Sequence, residues 1–216
     1  MPARAASLAR ERLAWADGAL LLGVDEVGRG PLAGPVVAAA VAFPPGGPVP
    51  PGLRDSKLVP ATRRAPLAVA IREHALVVAL GAASVREIDR LNIRVATALA
   101  MRRAVERALQ ALAALRPPTF PPVRLLLDGL AMPELGHAHD ALVDGDARCA
   151  SIAAASVVAK VCRDALMERL AARHPAYGWA TNAGYGTAGH LAALRSVGPT
   201  PHHRRSFAPV SSLRGC

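Results

Sequence analysis

An apolar run, Leu20 to Val24, ends in two adjacent carboxylates, Asp25 and Glu26, which lead into a turn built on Gly28, Arg29, Gly30 and Gly34. No other stretch constrains the chain so tightly. The apolar residues read as a buried strand that delivers two hard oxygen donors to the end of a sheet. The Gly-Arg-Gly turn can bring bare backbone N–H groups up to a phosphate or a sugar. A carboxylate beside an anion-binding turn is repulsive on its own, and a divalent cation between the two resolves the conflict. The glycine spacing does not make Gly-x-Gly-x-x-Gly and the acids precede the turn, so a dinucleotide site is excluded. A strand end with solvated acids is the plain alternative, and the rest of the chain has to decide.

Pro35–Phe43 reads as a second buried strand turned back on the first, and residues 44–52 as a Pro/Gly loop. The polar cluster from Leu53 to Leu58 leads to a helix through about Arg72. Pro66 suits a first helical turn, which places the start near Ala65. His74–Ala83 reads as a third strand, and Ser84-x-x-Glu87 as a capping box opening a short helix. Asn92–Leu115 carries the longest helical pattern, and two Pro-Pro pairs punctuate residues 117–122. Val123–Leu127 repeats the first arrangement, an apolar strand ending in Asp128-Gly129, and Val143-Asp144-Gly145-Asp146 sets another acid at a turn. A long helix starts at Ser151 and runs to about Arg173. Thr181–Thr187 is an exposed glycine-flanked loop, followed by a short helix from about Ala188 and a tail carrying His202 to Phe207. Early strands with helices between and after them predict an α/β or α+β chain, its mixed sheet covered by helices.

The length of 216 residues suits one domain. Residues 1–17 read as an N-terminal extension, 18–209 as the body and 210–216 as a tail. A net charge of +10 favours a polyanionic partner, most simply nucleic acid. Aromatics make up only 3% of the chain, so Tyr185, set between Gly184 and Gly186 in a polar loop, stands out. Cys149, Cys162 and Cys216 form no Cys-x-x-Cys, which argues for a reducing, cytoplasmic setting and against a disulfide framework or zinc site. No apolar run approaches the roughly 20 residues that span a bilayer, so no membrane partner is expected.

If the strand ends converge, Asp25, Glu26, Asp128 and Asp146 share one site. Anions so close would raise one another's pKa values unless a cation neutralised them. Oxygen donors without His or Cys favour Mg2+ or Mn2+ over Zn2+. Carboxylate clusters holding two such ions about 3.5–4 Å apart catalyse in-line attack of water on a phosphodiester.

The ordered series Asp25-Glu26-x-Gly28-Arg29-Gly30, Asp55-Ser56-Lys57-Leu58, Glu87 to Ile93, Leu127-Asp128-Gly129, Gly145-Asp146, Ser151 to Ser156 with Ala159-Lys160-Val161 and Arg163-Asp164, Gly184-Tyr185-Gly186-Thr187 and His203 to Phe207 resembles the ribonuclease HII family, the bacterial type 2 ribonucleases H. The likeness runs from about residue 20 to 209. It implies a ribonuclease H-like α/β fold, a five-stranded mixed sheet flanked by helices with a helical C-terminal region. It implies a monomer that hydrolyses RNA in RNA–DNA hybrids and incises duplex DNA 5′ of single embedded ribonucleotides, leaving 3′-hydroxyl and 5′-phosphate ends. By the same resemblance Asp25, Glu26, Asp128 and Asp146 are the catalytic residues and ligands of two Mn2+ or Mg2+ ions, with Asp25 bridging both. Gly28, Arg29 and Gly30 match the turn that reads the ribose 2′-hydroxyl, and Tyr185 matches the tyrosine that packs on the following deoxyribose. The chain departs from the family pattern in two places: Lys57 stands alone where two lysines are usual, and Asp144 stands where a lysine commonly precedes Gly-Asp.

Other residues have plainer readings. Lys160 and Ser156 contact phosphate or pack the helix; Asp164 is a structural helix acid, Glu87 a cap, and Cys149 and Cys162 small core residues. His202 and His203 are expected to be solvated or phosphate-facing. A non-catalytic basic nucleic-acid-binding module would explain the charge but not the strand-end acids. A carboxylate enzyme acting on DNA would show no 2′-hydroxyl requirement.

Overall fold

The computed structural model describes residues 6–115 and 121–215; the Pro-Pro pair at 117–118 and Cys216 lie outside them. Helix α1 (Ala9–Ala16) is followed by strands β1 (Leu20–Val27) and β2 (Val36–Ala42). Then come α2 (Ala61–His74), β3 (Val77–Ala83), α3 (Val85–Leu91), α4 (Ile93–Ala114) and β4 (Val123–Asp128). The remainder holds β5 (Asp140–Leu142), α5 (Gly145–Arg148), α6 (Ala150–Arg173), α7 (Trp179–Asn182) and α8 (Ala188–Val197). The strands form one mixed sheet of order β3-β2-β1-β4-β5, with β1 antiparallel to β2 and parallel to β4. This is the ribonuclease H-like architecture, with α7 and α8 forming the helical C-terminal region.

Both faces of the sheet are covered, which is why β2 is apolar at every position rather than alternating. Val36, Ala38, Ala40 and Ala42 join the core under α4, whereas Val37, Ala39 and Val41 join the core under α6. The abundance of alanine lets the helices lie close. At Gly23 the approach is close: a Cβ there would sit 2.5 Å from the backbone of Ser151 and Ile152 at the start of α6. The N-terminal residues are tied to the same helix. The buried Glu11 carboxylate of α1 accepts from the Ser151 backbone N–H at 2.7 Å, filling one of the free donors of the first turn of α6.

Ser84 and Glu87 form the expected reciprocal cap, and Glu87 also receives Arg103 at 2.7 Å. Other expectations need correction. The second helix starts at Ala61, not near Ala65, so Pro66 lies inside it. Pro66 is exposed, so the carbonyl its missing N–H leaves free, that of Thr62, faces water and the fault is cheap. The longest helix is α6, with 24 residues, rather than α4, with 22. The strand pattern also stops short at β1, which continues through Val27 and so includes Asp25 and Glu26. Among the described residues no helix is long and apolar enough to cross a membrane.

Candidate active site

Parallel pairing of β1 with β4 runs in register from Leu20 with Val123 to Val24 with Leu127. The next residue on each strand is an aspartate, Asp25 and Asp128, so the register itself sets two carboxylates side by side. Asp146 arrives from the first turn of α5, just after the short strand β5, which pairs parallel to β4. Carboxylate oxygens of Asp25, Asp128 and Asp146 lie within 4.8 Å of one another. Glu26 is not part of this cluster. Adjacent residues of a strand face opposite sides of the sheet. Asp25 shares the α6 face with Gly23, whereas Glu26 stands at the strand end, where its Oε1 accepts from Arg29 at 3.2 Å.

The electrostatics of the cluster are those of crowded, partly buried anions. Burial, then Glu26 and Asp128, push Asp25 well above the ordinary aspartate range, against the pull of the Ser156 hydroxyl and the Glu26 N–H. Burial raises Asp128 despite N–H donors from Gly145, Asp146 and Gly129, the first at 2.7 Å. Burial, Asp128 and Asp55 raise Asp146 to about 6. Glu26 is raised too, by burial and Asp128 against the pull of Arg29. Lys57 faces this negative field: burial works against its ammonium, but Asp55, Asp146, Asp25 and Asp128 outweigh it and hold its pKa above the usual value. The Ser156 hydroxyl oxygen is also hydrogen-bonded to the Ser56 hydroxyl at 2.9 Å, locking α6 to the loop that carries Lys57. The donor set is all oxygen, crowded and short of positive charge, so it fits a hard divalent cation.

Beside the acids the chain turns through Gly28–Gly34. Gly28 has φ +92°, and a Cβ on it would run into the Arg163 side chain. Two buried arginines hold this turn. Arg204 donates to the carbonyls of Gly28, Arg29 and Gly34, the second at 2.7 Å. Arg163 donates to Ala33 at 3.0 Å, Pro35 at 3.0 Å and Ala183 at 2.9 Å. The last bond ties the turn to the loop before Tyr185. That loop also accepts the Leu32 N–H at the Gly184 carbonyl, 2.8 Å away. The Tyr185 ring stays 49% exposed and lies beside Gly30, whose missing Cβ would be 3.5 Å from its Cε1. The Gly-Arg-Gly turn and Tyr185 therefore form one surface next to the acids.

A family model for Ribonuclease HII matches residues 22–210. A Ribonuclease HII of Cereibacter sphaeroides is 55% identical over 205 residues, covering 94% of this chain and 91% of that protein. One from Granulibacter bethesdensis is 52% identical over 208 residues, covering 94% and 90%. The chain belongs to the ribonuclease HII family. It is thus a ribonuclease H-type hydrolase. The fold agrees with solved members: RNase HII of Archaeoglobus fulgidus, seen in a complex with PCNA, superposes with a TM-score of 0.68 at 22% identity over 87% of this chain and 95% of that one. Ribonuclease H2 of Pyrococcus horikoshii gives 0.65 at 22% identity over 90% and 96%.

Within this ribonuclease HII framework the departures from the motif are local. Asp144 is exposed at a left-handed position before α5 and lies outside the aspartate cluster. Lys160 is held by Asp164 at 2.6 Å, and Asp164 is a structural helix acid that also faces Arg64. Cys149 is buried in the core and Cys162 half-buried against it. The tail was misread. His203 is 1% exposed, not solvated, and Arg204 is fully buried, while His202 is half-buried. Reasoning from the residues alone gave Arg163, Arg204 and His190 no role. The signal of the two arginines is weak in any sequence, because their partners are backbone carbonyls, which every residue has.

Proposed function

We propose that Asp25, Asp128 and Asp146, with Glu26 at the strand end, hold two divalent ions, Mg2+ or Mn2+, and that the chain incises duplex DNA 5′ of a single ribonucleotide as well as cutting RNA in RNA–DNA hybrids. The observation that carries this reading is the gathering of three aspartates within 4.8 Å, each held above its ordinary pKa, in a member of the ribonuclease HII family. Bound there, the ions would activate water and neutralise charge developing on the phosphate. The protein's own groups do the rest. Asp25 holds the centre of the site, fixed by Ser156 and the Glu26 N–H. Lys57 supplies a positive charge beside the acids for a phosphate. The Gly28-Arg29-Gly30 turn offers backbone groups to the ribose 2′-hydroxyl, the group that separates RNA from DNA. Tyr185 offers an exposed flat face to the next sugar, where a 2′-hydroxyl would crowd it. The net charge of +10 supports a duplex partner, and the free thiols of Cys149 and Cys162 suit a cytoplasmic home.

The test is a DNA duplex carrying one ribonucleotide, incubated with Mg2+, Mn2+ or EDTA, with the cut mapped. The expected result is incision on the 5′ side with a 3′-hydroxyl end, abolished by EDTA. Equal cutting of an all-DNA duplex would overturn the assignment of the turn as a 2′-hydroxyl reader.

A further inference from the structure

Behind the Tyr185 loop lie two buried imidazoles, His190 on α8 and His203, 0% and 1% exposed. Their Nε2 atoms are 3.0 Å apart. Trp179 Nε1 points at the same His190 Nε2 from 3.2 Å, and His190 Nδ1 is 2.9 Å from the Tyr185 carbonyl oxygen. An indole N–H donates and never accepts. His190 Nε2 is therefore an acceptor, its proton sits on Nδ1, and that proton is given to the Tyr185 carbonyl. His203 leads to the same assignment independently. The Thr200 backbone N–H donates to His203 Nδ1 at 2.9 Å, which leaves the His203 proton on Nε2, aimed at the His190 Nε2 lone pair that it shares with the Trp179 N–H. The tautomers thus follow from two fixed donors. The chain of bonds has one direction: Thr200 to His203, His203 to His190, His190 to Tyr185.

The segment that starts this relay also holds the Gly28–Gly34 turn. Arg204 grips that turn, its own N–H donates to Leu32 at 2.8 Å, and the Gly34 N–H donates to His202 at 2.9 Å. Residues Thr200–Arg204 therefore support both halves of the substrate-facing surface, one through Arg204 and the other through the imidazole pair. If burial were the only requirement, apolar side chains would fill this space without the cost of desolvating two imidazoles. What the imidazoles add is a directed hydrogen bond to one carbonyl.

We propose that His190, oriented by His203, is a positioning residue for Tyr185: its Nδ1–H holds the Tyr185 backbone and sets the ring's place beside Gly30, and with it the preference for a single embedded ribonucleotide. The proposal rests on the reading of Tyr185 as substrate-facing; His190 itself touches no substrate.

Two substitutions separate positioning from packing. In His190→Asn the amide nitrogen can occupy the Nδ1 place and keep the bond to Tyr185, losing the His203 contact. In His190→Gln the amide reaches the Nε2 place and the bond to Tyr185 is lost. The readout is kcat/KM on a duplex with one ribonucleotide divided by kcat/KM on a long RNA–DNA hybrid. His190→Gln is expected to lower this ratio about tenfold, the cost of one directed hydrogen bond, with His190→Asn near wild type. Equal ratios in the two variants overturn the proposal. Tyr185→Ala serves as the control. If it leaves the ratio unchanged, the substrate-facing reading fails and takes the proposal with it; if it lowers the ratio while His190→Gln does not, positioning alone fails. Imidazole 15N shifts of the unmutated protein give a check that needs no variant to fold. They are expected to show the Nδ1–H form at His190 and the Nε2–H form at His203, and an Nε2–H form at His190 overturns the assignment.

Discussion

Two clusters of buried charge flank the same glycine turn, and they are built on opposite rules. Arg163 and Arg204 are 1% and 0% exposed, yet their N–H groups find the carbonyls of Gly28, Arg29, Ala33, Gly34, Pro35 and Ala183. Asp25 is 5% exposed and finds one backbone N–H, one hydroxyl and two further carboxylates. Both clusters cost desolvation. The arginines offset it inside the protein, whereas the aspartates leave the balance open to whatever cation arrives. Buried charge with its hydrogen bonds filled is scaffold. Buried charge facing its own sign is a site.

The contrast breaks most visibly if one acid is neutralised. Asp25→Asn, and separately Asp128→Asn, should lower cleavage about a thousandfold or more, since each removes a carboxylate oxygen that we propose holds the ions. In EDTA the same variants should melt no lower than wild type, because a repulsive anion has gone. A variant with near-normal cleavage at saturating metal would mean that the acids do not act as one site. Next in size is the arginine side. Arg204→Met leaves several buried carbonyls without a donor and should cost about 3–5 kcal/mol in urea unfolding, at about 1–3 kcal/mol for each unsatisfied acceptor. Arg204→Lys should recover little, because one ammonium cannot replace a planar fork. A loss of Arg204 that leaves stability unchanged would show that the turn does not need its brace.

A pH series sharpens the acid half. Asp146 is raised to about 6, so its folded-state contribution is fully present below the ordinary aspartate pKa and is lost as pH rises through about 6. In EDTA, Asp146→Asn should therefore be more stable than wild type at pH 8, with the gap narrowing as pH falls through about 6 and closing only near the ordinary aspartate pKa of 3.8. His203, held down to about 4 by burial and then by His190, titrates in both proteins and cancels from the difference. A gap independent of pH would remove Asp146 from the strained set. Smallest is the effect of salt. Duplex affinity should fall with a log–log slope of about −0.9 for each phosphate neutralised, and a flat response between 50 and 200 mM would separate the +10 charge from binding.

The fold's centre was legible because strands announce themselves by apolar runs and by what stops them. Val36–Ala42 and Val123–Asp128 stand nearly where the pattern places them. Asp25 and Asp128 were legible as strand-end acids, and the parallel register made them neighbours. Glu26 is adjacent to Asp25 in sequence, but a strand turns adjacent residues to opposite faces, so how far its carboxylate stands from the three aspartates was not legible. The start of α2 was missed because Pro66 signals a beginning wherever it occurs, and only exposure makes it tolerable inside. The tail misled for a different reason. His202 to Arg205 looks like a solvated basic patch, and nothing in its composition reveals that Arg204 and His203 point inward. Their partners are carbonyls of residues 28–34, the rings of Tyr177, Trp179 and His190 and the Thr200 N–H, and that proximity exists only after folding.

The arginine braces also impose an order in time. Gly28 and Arg204, joined by one hydrogen bond, are 176 residues apart, and Ala33 and Arg163 are 130 apart. A ribosome therefore makes the glycine turn more than a hundred residues before either arginine that braces it. The contacts of the turn with Arg163 and Arg204 can form only after that much further chain has been made, so local sequence alone does not supply the brace.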